Sequence, residues 1–272
     1  MIKNSFFSEE TAAPPLQQIL SKVPEVTIFF WIIKIMATTV GETAADFLNF
    51  NLHWGLSNTT FLMSGLLIIS LFIQFKSKKY VPWIYWLVVV LISIVGTLIT
   101  DNLVDNFGVA LETTTIFFSI ALFVTFVVWY MSEKTLSIHS IYTSKREAFY
   151  WLTILFTFAL GTAAGDLISE GMDLGYWKSG LIFAGLIVAV MIAHYGFKLN
   201  AVLAFWIAYI LTRPLGASFG DYLSQSRADG GLGLGTVGTS AIFLIIILSL
   251  IIYLTKTNRD KILLVENSPS NN

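Results

Sequence analysis

Four aspartates and one glutamate carry most of the chemistry in a chain that is otherwise largely apolar. Asp46, Asp101, Asp166 and Asp221 each close the same pattern: an aromatic, Trp, nine residues, Gly, four residues, Asp. The copies are Phe30-Trp31…Gly41…Asp46, Tyr85-Trp86…Gly96…Asp101, Tyr150-Trp151…Gly161…Asp166 and Phe205-Trp206…Gly216…Asp221. Glu42 stands one helical turn before Asp46, so both share a helix face. A carboxylate in a membrane-spanning helix costs about 2.5–3.5 kcal/mol on insertion scales, so it needs a reason to be there. It can ligate a cation, carry a proton, pair with a base, cap a helix end or meet water at a mouth.

The residues four apart extend each Asp into a polar stripe. The first repeat reads Lys34, Thr38, Glu42, Asp46, and the second Ser93, Thr97, Asp101, Asp105. The third reads Thr162, Asp166, Glu170, and the fourth Arg213, Ala217, Asp221, Gln225. Asp46, Asp101, Asp166, Asp221 and Glu42 are therefore the candidate ion ligands or proton carriers. Thr38, Thr97, Asp105, Thr162 and Glu170 are supporting polar groups, with Lys34 and Arg213 as charge partners. Five acids against two bases leave charge for protonation, water or a bound cation to balance. With no cysteine in the chain, the oxygen-rich set suits a hard divalent ion: manganese, calcium or magnesium. No other cofactor is implied. Arg213 has a second reading, a salt bridge to Glu42 that locks two helices together. Lys34, three residues past Trp31, could instead extend to the membrane surface.

The elements that position these residues follow from composition. Hydrophobic residues make up 56% of the 272 and charged residues 12%, against about 25% charged in soluble domains. The mean hydropathy is +0.75. Apolar runs predict spans near 24–49, 57–75, 82–105, 112–131, 147–170, 177–196, 199–224 and 236–255. Pro24 and Pro82 are expected in first turns, where a missing N–H costs little, and Arg213-Pro214 predicts a kink or break. Lys3, Lys22, Lys76, Lys78, Lys79, Lys134, Lys145, Arg146, Lys198, Lys256, Arg259 and Lys261 fall on one side of an eight-span chain, against Lys178 and Arg227 on the other. The positive-inside rule puts that side, and both termini, in the cytoplasm. Residues 1–21 and 257–272 read as polar cytoplasmic tails around a membrane domain at 22–256.

Identical spacing in all four copies marks a tandem repeat, with units near 22–80, 81–145, 146–200 and 201–256. Each unit holds two spans, so the copies enter the membrane in one direction and are parallel repeats. The expected fold is an all-α integral membrane protein of eight helices, arranged pseudo-fourfold or two-plus-two, with the Asp-bearing helices inside and their partners outside against lipid. Glycine would let a neighbouring helix approach. The chain resembles a family of bacterial multi-pass membrane proteins built from four tandem two-span repeats, catalogued as a repeat of unknown function. The opening "KVPEVTIFFWIIKIMATTVGET" and the Trp-containing repeat carry that resemblance. It implies the architecture and a location in the bacterial cytoplasmic membrane, and it implies no chemistry.

Other features read as structure. "GLGTVG" at 233–238 has no preceding strand and opens a span, so it is a packing loop and not a dinucleotide site. His53, His139 and His194 are scattered too widely for a metal. Trp83, Trp86, Trp151 and Trp206 read as anchors at the membrane interface. No nucleophile–base constellation marks an enzyme, and no basic tract suggests nucleic acid. Three functions stand open: transport of an inorganic cation, divalent first, with proton coupling as an option; transport of a small organic solute held by Lys34, Arg213 and aromatics; or a non-transporting scaffold. A ring of four within one chain requires no oligomer. The partners are lipid and the transported cation.

Overall fold

The computed structural model describes residues 21–51 and 53–260; the remainder of the predicted tails, with Lys3 and Lys261, lies outside the described residues. Among the described residues, eight helices are long and apolar enough to cross a membrane. They are α1 (Ile28–Asp46), α2 (Leu56–Lys76), α3 (Pro82–Asp101), α4 (Leu111–Glu133), α5 (Ser144–Asp166), α6 (Tyr176–Phe197), α7 (Ala201–Ser224) and α8 (Gly235–Thr257).

Local sequence sets their starts. Thr27, Thr143 and Asn200 cap α1, α5 and α7, their side-chain oxygens accepting from the N–H groups of Phe30, Arg146, and Val202 and Leu203. Pro82 opens α3. Pro24 does not sit in a first turn as expected, because Thr27 supplies a better cap and the helix begins at Ile28. The outer helices α2 and α6 start after Gly55 and Gly175, whose φ angles of 75° and 74° are open to glycine without strain.

The first three Asp-bearing helices finish alike. Immediately after Asp46, Asp101 and Asp166 the backbone widens into a π-helical turn, at Phe47–Asn51, Asn102–Asn106 and Leu167–Gly171. Such turns insert an extra residue per turn and recur at functional sites. The fourth copy differs, α7 continuing as α-helix past Asp221. Pro214 lies inside α7 without breaking it, and its ring faces Gly161 and Gly165 of α5, where there is room for it.

Packing separates inner from outer helices. α1 packs on α3 and α7, and α5 packs on the same two, so the four inner helices form a closed cycle of neighbours. Each outer helix docks chiefly on the inner helix of the next repeat: α2 on α3, α4 on α5, α6 on α7 and α8 on α1. Between 56% and 78% of each inner span is buried, against 11% to 28% of each outer span. The outer helices expose Phe61, Ile68, Phe72, Phe123, Ile245 and Leu248, as a lipid-facing surface requires.

The repeat glycines make this arrangement possible. A Cβ on Gly41 would strike Ser93, on Gly96 Phe158, on Gly161 Arg213, and on Gly216 Thr38. Each struck residue lies three before the glycine of the next repeat. One contact thus recurs four times, the last copy meeting the first, and a bare glycine is what lets the backbones come together.

The repeat tryptophans correct an expectation. Trp86, Trp151 and Trp206 are 1%, 3% and 3% exposed, so they are core residues and not interface anchors; of the expected anchors, Trp83 alone is exposed. They pack with Phe30, Tyr85, Tyr150, Phe205 and Tyr209 into an aromatic layer. The Tyr85 and Tyr150 hydroxyls meet at 2.5 Å.

Over this end lies the segment before α1. Lys22, expected as a tail charge, is buried; its ammonium donates to Glu147 at 2.6 Å and to the Phe75 carbonyl at 3.0 Å. Gln74 donates to the other Glu147 oxygen. Tyr80 donates to Asp260 at 2.6 Å, and burial with the nearby Asp260 charge pushes its phenol well above the usual value.

Candidate functional site: a graded polar core

The polar stripes stack into layers that run from the aromatic end towards the aspartates. The residues seven before each glycine are Lys34, Val89, Ile154 and Tyr209. Lys34 is fully buried; its ammonium donates to the Tyr209 carbonyl at 3.1 Å and lies 4.1 and 4.9 Å from the Tyr209 and Phe158 ring centres. It does not reach a membrane surface, and among the described residues no carboxylate pairs with it. The aromatic faces supply part of the missing compensation.

Three residues before each glycine come Thr38, Ser93, Phe158 and Arg213. One residue after it come Glu42, Thr97, Thr162 and Ala217. Arg213 is 0% exposed and reaches forward into that second layer. Its Nη2 donates to Glu42 at 2.5 Å, to Thr162 Oγ1 at 2.7 Å and to Thr97 Oγ1. One nitrogen on α7 therefore holds α1, α3 and α5 together. The fourth position of that layer is Ala217, one turn along from Arg213 itself. Nε and Nη1 of Arg213 are buried with no partner among the described residues. This is the salt-bridge reading of Arg213, realised with two hydroxyls besides the acid.

Five residues after each glycine stand the four aspartates. Asp46, Asp101 and Asp166 are half-buried and Asp221 is 8% exposed. Asp46 accepts a long bond of 3.4 Å from Gln225. None of the four is ion-paired among the described residues. Asp101 and Asp221 each lie within electrostatic reach of Glu42, Asp46 and Asp166. One turn further out Asp105 and Glu170 are exposed. Water access therefore falls in steps, from Asp105 and Glu170 through the aspartates to the sealed Arg213 layer.

The expected metal ligands do not converge. Among the described residues no three acids or histidines come together as a metal would need. Glu42 lies a turn deeper and is held by Arg213. Thr38 turns to backbone carbonyls, donating to Ile35 at 2.5 Å and Thr212 at 3.4 Å, and has no part in the acidic layer.

A model of the family described as Repeat of Unknown Function (DUF347) matches residues 29–80, 84–135, 149–199 and 204–260. The chain belongs to that family. The four DUF347 matches follow the four Trp–Gly–Asp copies, so the family unit is one inner helix with the outer helix after it. No curated protein and no solved structure matches the DUF347 chain.

Sequence reasoning missed two features of the site. The π turns after three of the aspartates have no signal in residue type. The triple contact of Arg213 did have one, since Glu42, Thr97 and Thr162 occupy one repeat position and Ala217, small and apolar, leaves the fourth open to a long neighbour.

Proposed function

We propose that the protein is a transporter of an inorganic cation, with Asp46, Asp101, Asp166 and Asp221 as the layer that attracts and passes the ion. The observation carrying this reading is that four aspartates at one repeat position stand in the membrane domain without an ion pair among the described residues, Arg213 acting on Asp46 and Asp166 only at a distance. Intramembrane acids without partners mark ion paths more often than they mark packing. The π turns after three of them favour the same end of the core. Four carboxylates offer more charge than a monovalent ion needs, so manganese, calcium and magnesium come first, met in steps and not in a preformed cage. The described conformation is closed: Arg213 with Glu42, Thr97 and Thr162 seals the core, and the aromatic layer blocks it beneath. Transport requires that seal to shift between two arrangements. The basic residues of the loops beside the aromatic end favour both termini in the cytoplasm of a bacterial cell, with the aspartates towards the outside. Lys22 leaves that count, being paired with Glu147, and the bias survives without it.

Purified protein in liposomes, with a trapped metal dye and a pH dye, tests the proposal. A flux of at least one of the three ions above protein-free liposomes is expected. Silence of both dyes for all three ions would overturn it in favour of an organic solute or a scaffold.

A further inference from the structure

The oxygens around Arg213 point to a second cation place, and this inference rests on the transport reading above. We propose that Glu42, Thr97 and Thr162 form a site for a monovalent cation, and that the Arg213 guanidinium is a tethered occupant which a free ion replaces during the cycle. Three features of the contact support it. Nη2 carries two hydrogens yet meets three oxygens, from three helices, at one repeat position. That is an oxygen shell around a positive charge more than a directional hydrogen-bond pair, whose usual form is the two-pronged fork of Arg with a carboxylate.

Secondly, the rest of the guanidinium is poorly provided for. Nε and Nη1 are buried with no hydrogen-bond partner among the described residues, the Phe158 ring standing 5.9 Å from the guanidinium carbon, and a buried donor left without an acceptor is destabilising. A side chain present only to tie helices together would use them; one that fills a site with a single nitrogen need not. Thirdly, the charge matches one elementary unit. The layer holds one carboxylate and two hydroxyls, so a monovalent ion neutralises it and a divalent ion leaves an uncompensated charge in a dry core. The fourth position, Ala217, is 1% exposed and apolar, so Glu42 is the one acid at this repeat position, the four aspartates lying one turn further out. Carbonyls, hydroxyls and a single acid are ordinary ligands for such an ion, and Arg213 retreating towards its own turn would clear them.

The test removes the tether and supplies the ion. Full-length Arg213→Met is purified in sodium, potassium, ammonium or choline chloride at equal ionic strength, and its thermal unfolding midpoint is measured beside wild type and Arg213→Met/Glu42→Gln. At least one of the three small cations is expected to raise the midpoint of Arg213→Met by several degrees over choline, with half-saturation in the millimolar range. Wild type, its site filled, and the double variant, its charge removed, should give one midpoint in all four salts. Sodium or potassium alone would identify an alkali-ion site; ammonium alone would identify a site for N–H donors. Arg213→Met that folds equally well in all four salts, or that folds in none while the double variant does fold, would overturn the inference. So would the double variant folding in none of the four salts, or responding to a small cation as Arg213→Met does. Divalent flux in wild type alongside such a result would leave the transport reading standing, and salt-dependent Arg213→Met without any flux would do the reverse.

Discussion

The two ends of the core are built from the same repeat and behave in opposite ways. At the tryptophan end four aromatic pairs interlock, hydroxyl meets hydroxyl between Tyr85 and Tyr150, and the Ser21–Thr27 segment is tied down by Lys22 and Glu147. At the aspartate end three of the helices widen, the four aspartates form no ion pair among the described residues, and exposure rises towards Asp105 and Glu170. Equal positions carry equal residues where each helix must meet the next in one way: Trp, Gly, Asp. They diverge in the layers between, where Lys34, Arg213 and Glu42 each occur once. The lesson is that repetition builds the frame, and single departures from it build the asymmetry that the proposed transport cycle needs.

The largest break in that comparison is expected from the buried ion pairs. Arg213→Ala strands Glu42 and should cost about 3–5 kcal/mol of unfolding free energy, read by denaturant titration in detergent. Lys22→Ala strands Glu147 and should cost a similar amount while leaving the inner helix cycle intact, since its partners lie at the aromatic end. Next come the close approaches. Gly96→Ala drives a Cβ into Phe158 and the Ala159 backbone, an overpacking worth about 1–3 kcal/mol; Gly65→Ala on outer α2, with open space around it, should be neutral or slightly stabilising.

Smaller effects separate stability from function. Asp101→Asn and Asp166→Asn remove no ion pair, so their stability should stay within about 1 kcal/mol of wild type while flux falls. A loss of several kcal/mol in either would place the aspartates in the frame and not in the path. The smallest effect concerns pH at the aromatic end. Burial lowers the His139 imidazole from its ordinary value of 6.5, so the neutral ring is favoured in the fold. Its contribution is present above pH 6.5 and is lost as pH falls through and below that value, because the unfolded chain takes up the proton first. Stability should decline between about pH 7 and 5, and less steeply in His139→Gln.

Much of this frame is legible in the sequence. Apolar runs give the eight helices, and the repeat spacing gives the inner–outer division and the close approach at each glycine, because helix period and burial obey the same geometry. The Arg213–Glu42 pair is legible as one of two readings. Other features are not. An aromatic Trp at a helix start reads equally as a lipid anchor or as packing, and only the neighbours decide that Trp86, Trp151 and Trp206 are core. Lys22 reads as a tail charge because its partner Glu147 is 125 residues away. The docking of each outer helix on the next repeat has no local signature, since hydropathy says that α2 faces lipid and not which helix lies behind it. The candidate ligands stay apart among the described residues for a related reason: a shared depth for four acids does not imply a shared point.

The most direct test of the central claim compares wild type with the protein carrying Asp→Asn at positions 46, 101, 166 and 221 together, both reconstituted in liposomes at equal density. Helix content and thermal midpoint are measured on the same samples as ion flux. The account predicts a folded variant whose flux falls at least about a hundredfold, which corresponds to a barrier raised by about 2.7 kcal/mol. A folded variant with wild-type flux would show that the ion passes elsewhere and that the four aspartates serve the structure alone.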